Sequence, residues 1–241
     1  MATHRRSARH GAWMLRAGDA GAASRALPVT VADAAPATLR RGLPAPRRER
    51  AEYRRMSRVA EEFRVVTSES SEGVRRMFRQ VKLPALVPGK LLLHSMPGCF
   101  ETLEQVWEHV HAEGVQAIVN LAQAGETRRK SPTYAKAILS GQVPCPVISF
   151  PVKDCGTPRS RVAFWELALD LAQRLEAGDR ILVHCAAGVG RAGSLATCIL
   201  VALGATPAAA AKAVWAAGSQ PETDGQMELV AWCAAQRSAG R

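Results

Sequence analysis

From Lys90 to Gln236, short apolar runs alternate with segments of helical period, and this alternation is the strongest constraint on the fold. Lys90–His94, Ala117–Leu121, Val147–Phe150 and Arg180–His184 have the length and branched-apolar content of buried strands. Between and after them lie helical segments. Thr102 is an N-cap for a helix to about Glu113, and Ser131-Pro132 opens one over 132–140. Ser160 caps a long helix to about Ala177, with Phe164, Leu167, Leu171 and Leu175 on one stripe. Further helices are expected over 190–203, 207–217 and 224–236, and two short ones over 56–66 and 72–80. Strands alternating with helices predict an α/β fold with a central mixed, mostly parallel sheet flanked by helices.

The chain divides near residue 55. Residues 1–50 hold ten arginines, no lysine and three acids, so +7 of the net +11 sits there and +4 on the remaining 191 residues. Residues 1–55, rich in Arg, Ala and Pro, read as a disordered segment, and residues 56–241 as one catalytic domain with a core of about 80–237. The Arg-rich, acid-poor start has the character of an organelle transit peptide, but a solvated tail, or a true start at Met56, is the preferred account. Because the charge excess is concentrated in this leader and no aromatic-rich basic motif follows, nucleic acid is not an expected partner. No apolar run reaches the roughly 20 residues of a membrane span. Six cysteines without a C-x-x-C pair argue against zinc and for a reducing compartment, read as the cytoplasm. No cofactor and no metal are expected, and the domain is expected to be a monomer.

The chemistry gathers after the last strand, in Ile181-Leu182-Val183-His184-Cys185-Ala186-Ala187-Gly188-Val189-Gly190-Arg191-Ala192-Gly193-Ser194. An apolar strand enters a loop of small residues and then a helix. Such a loop can curl its N–H groups inward over a helix N-terminus, which makes an anion cradle of Ala186, Ala187, Gly188, Val189 and Gly190. Arg191 adds a planar fork that holds two phosphate oxygens at once. Cys185 lies at the base, where the amides, the helix dipole and the guanidinium favour thiolate, the form that attacks phosphorus. Cys155 and Arg161 repeat the Cys-x5-Arg spacing, but Pro158 lacks an N–H for a cradle and Asp154 opposes thiolate formation. That copy is rejected as the nucleophile loop.

His184-Cys185-x-x-Gly188-x-x-Arg191 resembles the signature of cysteine-dependent protein tyrosine and dual-specificity phosphatases, and the likeness extends over roughly residues 85–236. Ser95-Met96-Pro97-Gly98-Cys99 and Asp154 to Pro158 most resemble the kinase-associated phosphatase subgroup, which acts on cyclin-dependent kinases. The resemblance implies the fold of that superfamily, with the phosphate loop between the last strand and a helix. It also implies hydrolysis of phosphotyrosine, with or without phosphoserine and phosphothreonine, through a phosphocysteine, and a phosphoprotein, such as a kinase, as partner.

Asp154, on a loop punctuated by Gly156 and Pro158, suits a general acid that must approach the leaving oxygen; the plain alternative is a loop carboxylate. His184 orders the loop in the family. Gln226 lies where relatives position the hydrolytic water, and a helix-surface glutamine is the equal alternative. Arg159 and Arg161 read as solvated charge. The chain departs from the family at Ala192, where Ser or Thr usually donates to the sulfur. Three other functions compete: hydrolysis of a non-protein phosphomonoester, such as a phosphoinositide, nucleotide or RNA end; a slow or binding-only pseudophosphatase; and a sulfur carrier of the rhodanese kind, which the acid loop upstream disfavours. The apolar Ala186, Ala187 and Val189 argue against highly charged phosphoinositides.

Overall fold

The computed structural model describes residues 77–239. Their elements run β1 (Arg79–Val81), β2 (Lys90–His94), α1 (Leu103–Ala112), β3 (Ala117–Asn120), α2 (Ala124–Lys130), α3 (Pro132–Ser140), β4 (Val147–Ser149), α4 (Arg161–Glu176), β5 (Arg180–His184), α5 (Gly190–Ala202), α6 (Pro207–Ala216) and α7 (Asp224–Ala239). The sheet order is β1-β2-β5-β3-β4. β2, β5, β3 and β4 are mutually parallel, and β1 joins the edge antiparallel to β2. The expected mixed, mostly parallel α/β architecture is therefore present.

Local chemistry explains the element ends. The Thr102 hydroxyl accepts from the Gln105 N–H while the Gln105 side chain accepts from the Thr102 N–H, a reciprocal capping box at the start of α1. Ser131 and Ser160 cap α3 and α4 in the same manner, accepting from Tyr134 N–H and Ala163 N–H. The two-residue period of the strands then sorts side chains to opposite faces. Leu91, Leu93, Val119, Ile181 and Val183 meet α4 and α5, including Phe164, Leu167, Leu171 and Leu175. Leu92, Ile118 and Leu182 face the other way, toward Val106 and Val110 of α1. Each such buried Leu, Ile or Phe is worth roughly 1.5–3 kcal/mol over the exposed side chain.

α5 is buried at every residue from Gly190 to Val201, and its polar members Arg191, Ser194 and Thr197 are each hydrogen-bonded. It lies between β5 and the helices α4, α6 and α7. At Gly193 a Cβ would stand 2.5 Å from the Gln220 backbone nitrogen, so only glycine permits this approach. The N-terminus of α5 points at the carboxyl end of β5, between the ends of β2 and β3. That edge, outside the carboxyl ends of parallel strands, is where open α/β sheets bind ligands.

The helix expected over 72–80 is, where described, the strand Arg79–Val81; pairing with Leu91–Leu93 and burial of Phe78 and Val81 override local propensity. The helix α2 was not expected, and α7 runs to Ala239. The N-terminal segment 1–55 and the helix expected over 56–66 lie outside the described residues.

Candidate active site

The loop from Cys185 to Val189 is fixed from outside through its carbonyls. His184 Nδ1 stands 3.0 Å from the Cys185 carbonyl, and Met96 N–H donates to the Ala186 carbonyl at 2.8 Å. Arg79 Nη2 donates to the Gly188 carbonyl at 2.7 Å. The Ser219 hydroxyl reaches the carbonyls of Gly188 at 3.1 Å and Val189 at 2.8 Å. With these carbonyls held outward, the amides are the groups left to face an anion. Gly188 has φ +72, and a Cβ there would lie 2.2 Å from the His94 carbonyl oxygen, so the curl demands glycine twice over. Cys185 is buried at the base.

His184 is fully buried, and burial lowers its pKa to about 4, the hydrogen bond to Cys185 opposing. The ring is neutral at pH 7. A carbonyl can only accept, so Nδ1 carries the hydrogen and Nε2 accepts from the Tyr134 hydroxyl at 2.9 Å. His184 thus orients the loop and has no free proton site.

Arg191 is buried and held at fixed orientation. Nη1 and Nη2 donate to the two Glu126 oxygens at 2.7 and 2.9 Å, and Nη1 also donates to the Val152 carbonyl at 3.0 Å. The Arg191 hydrogen bond, against a burial cost, brings Glu126 down to about 2. Burial would lower Arg191, but Glu126, Cys185 and Asp154 outweigh it and raise it. Glu126 is therefore a site residue that no sequence motif revealed; its one visible cue is its place just after β3.

Asp154 lies on an exposed turn where Gly156 N–H donates to the Lys153 carbonyl, and its Oδ1 is 2.8 Å from Arg191 Nη2. The structure thus brings Cys185, Arg191 and Asp154 to one place. Cys155 is exposed, with φ 55, in a turn that precedes no helix directly. Gln226 is not a surface side chain but buried: its Nε2 donates to the Gly156 carbonyl at 3.1 Å and its Oε1 accepts from Glu222 N–H at 2.8 Å. Its amide joins the Asp154 turn to α7. Arg159 and Arg161 are exposed, as expected of solvated charge. Ser194, the hydroxyl nearest in sequence to Ala192, donates to the Gly190 carbonyl at 2.8 Å within its own helix.

Residues 80–239 match a family model described as Swiss Army Knife protein, DSP-PTPase phosphatase domain. The chain belongs to this family. An Invertebrate iridescent virus 3 protein described as a candidate tyrosine phosphatase, 067L, is 32% identical over 106 residues, which are 43% of this chain and 40% of the viral one. The chain thus matches less than half the length of that curated relative. Among solved structures, kinase-associated phosphatase, crystallised with its catalytic-site cysteine changed to serine, is 21% identical with a TM-score of 0.55, over 66% of this chain and 94% of that one. Tk-PTP in its active form is 21% identical with a TM-score of 0.52, over 67% and 98%. These likenesses establish that the DSP-PTPase domain here has the phosphatase fold.

Proposed function

We propose that this DSP-PTPase domain hydrolyses phosphotyrosine, and phosphoserine or phosphothreonine with it, through a phosphocysteine on Cys185. The observation that carries the reading is the fixed Arg191 fork beside a loop whose carbonyls are tied outward, with the Asp154 carboxyl 2.8 Å from the same guanidinium. Phosphate is bound by Arg191 and the amides of Ala186 to Gly190; Cys185 attacks phosphorus. Asp154 gives its proton to the leaving oxygen, then takes one from the water that cleaves the thiophosphate. Gln226 acts by holding the Asp154 turn. The proposed setting is cytoplasmic and the proposed partner a phosphoprotein, a kinase among the candidates, met by a monomer of residues 56–241 without metal or cofactor. Phosphate release from a panel of phosphopeptides, phosphoinositides and aryl phosphates tests it. Release confined to phosphoinositides, or none from phosphotyrosine peptides, would overturn it.

A slow enzyme is the second reading, favoured by one observation. Ala192 carries no hydroxyl, and the hydroxyl of Ser194 is committed to Gly190. Among the described residues no hydroxyl donates to the Cys185 sulfur.

A further inference from the structure

The nucleophile loop is braced from behind by a cation that comes from the far edge of the sheet. Arg79 lies on β1, 109 residues from Gly188 in sequence. One arm of its guanidinium donates to the Gly188 carbonyl at 2.7 Å and the other to the carbonyl of Gly218, in the turn after α6. Gly188 is caught between this guanidinium and the end of β2: a Cβ there would stand 2.7 Å from Arg79 Nη2 and 2.2 Å from the His94 carbonyl oxygen. Ser219, next to Gly218, donates to the same Gly188 carbonyl. Three segments remote in sequence thus meet on one peptide of the loop, and a planar fork is the group that can join two carbonyls at once.

We propose that Arg79 is a positioning residue for catalysis: it holds the Gly188 peptide in the conformation that turns the loop amides to phosphate, and places a fixed positive charge behind Cys185. The proposal rests on Cys185 being the nucleophile. Burial lowers Arg79, and the charge of Cys185 opposes that effect, so the two groups are within electrostatic reach. Arg191 feels Cys185 as well. A thiolate here would lie between two guanidiniums, which matters more in a chain that has Ala192 in place of a hydroxyl donor.

The test compares Arg79→Met, Arg79→Lys and Ser219→Ala with the starting protein. Three quantities are read: inhibition by inorganic phosphate, turnover, and the rate of iodoacetamide alkylation of Cys185 at one fixed pH, followed on its own peptide by mass spectrometry. Arg79→Met should weaken phosphate binding about tenfold and slow alkylation several-fold, as expected for loss of a nearby cation that favours the reactive thiolate. Arg79→Lys keeps the charge but not the fork, so the alkylation rate should return while phosphate binding stays several-fold weak. Ser219→Ala should weaken phosphate binding without changing the alkylation rate. A lower melting temperature with alkylation rate and phosphate affinity unchanged would overturn the proposal, leaving Arg79 a brace of the fold only. Should Arg79→Met not fold, Arg79→Lys decides alone: phosphate affinity equal to the starting protein refutes the fork. Normal turnover by Cys185→Ser would instead refute the nucleophile reading, which the phosphate-affinity arm does not depend on.

Discussion

The Arg191 guanidinium and the Glu126 carboxylate meet in a two-point pair at 2.7 and 2.9 Å, with both side chains buried and 65 positions apart in the chain. Glu126→Gln leaves the guanidinium with only the exposed Asp154 as a charged partner, and removing one member of a buried pair typically costs about 3–5 kcal/mol. The fork should also lose its aim, so kcat/KM should fall by roughly ten- to a hundredfold, seen in steady-state kinetics on an aryl phosphate.

Acid should unfold the domain in two stages. His184 is held at about 4 against an ordinary 6.5, so the unfolded chain takes up its proton first. Stability should therefore fall as pH drops from 6.5 to about 4. Glu126, held at about 2 against an ordinary 4.5, contributes stability that is full above 4.5 and lost toward pH 2. In Glu126→Gln the second stage should vanish while the first remains. Melting temperature against pH for the two proteins checks this; a second stage that survives the substitution would contradict it.

The two Cys-x5-Arg copies should behave oppositely. Cys185→Ser should abolish turnover and keep phosphate binding, because the proposed cradle is built from backbone and Arg191. Cys155→Ser should leave most activity intact. Full activity in the first variant and none in the second would reverse the choice of loop.

Asp154→Asn should cost about a hundred- to ten-thousandfold on a peptide or alkyl phosphate, the usual range for a lost general acid. On an aryl phosphate with a good leaving group the loss should shrink. Equal losses would make Asp154 a structural anchor for Arg191.

Ala192 predicts a slow second step. A hydroxyl beside the departing sulfur would stabilise it by about 1–3 kcal/mol, the worth of a hydrogen bond to a charged group. Rapid mixing with an aryl phosphate should show a burst of phenol near one equivalent, then slow turnover. Ala192→Ser should raise the steady rate roughly ten- to a hundredfold and shrink the burst. No burst and no gain would mean that another group serves the sulfur.

What could be read from the sequence was local. Thr102, Ser131 and Ser160 act within three residues of themselves, and the strands β2 to β5 carry their own apolar signal. The loop from Cys185 to Arg191 is likewise contiguous. β1 has no strand signal of its own, because three residues carry no period and are held by β2. α2 was missed because its seven residues are mostly polar and its N-cap, Gln123, makes no side-chain bond. Glu126 and Arg79 stayed invisible because their partners lie 65 and 109 residues away. Gln226 carries no local cue to its burial, because burial on α7 is settled by packing against the Asp154 turn.

The contact of Asp154 with Arg191 has a consequence for ligand binding. In the free domain one guanidinium already faces two carboxylates, Glu126 and Asp154. A phosphate dianion arriving there would add a third negative group to the guanidinium that those two carboxylates already share. Glu126 is buried and bidentate, so Asp154, 59% exposed, is the group that must yield. It can do so by swinging away on its exposed turn as the anion enters. Oxyanion and Asp154 should therefore compete for Arg191. Titration calorimetry with inorganic phosphate should give a tighter complex for Asp154→Asn than for the starting protein, since the internal competitor has been removed.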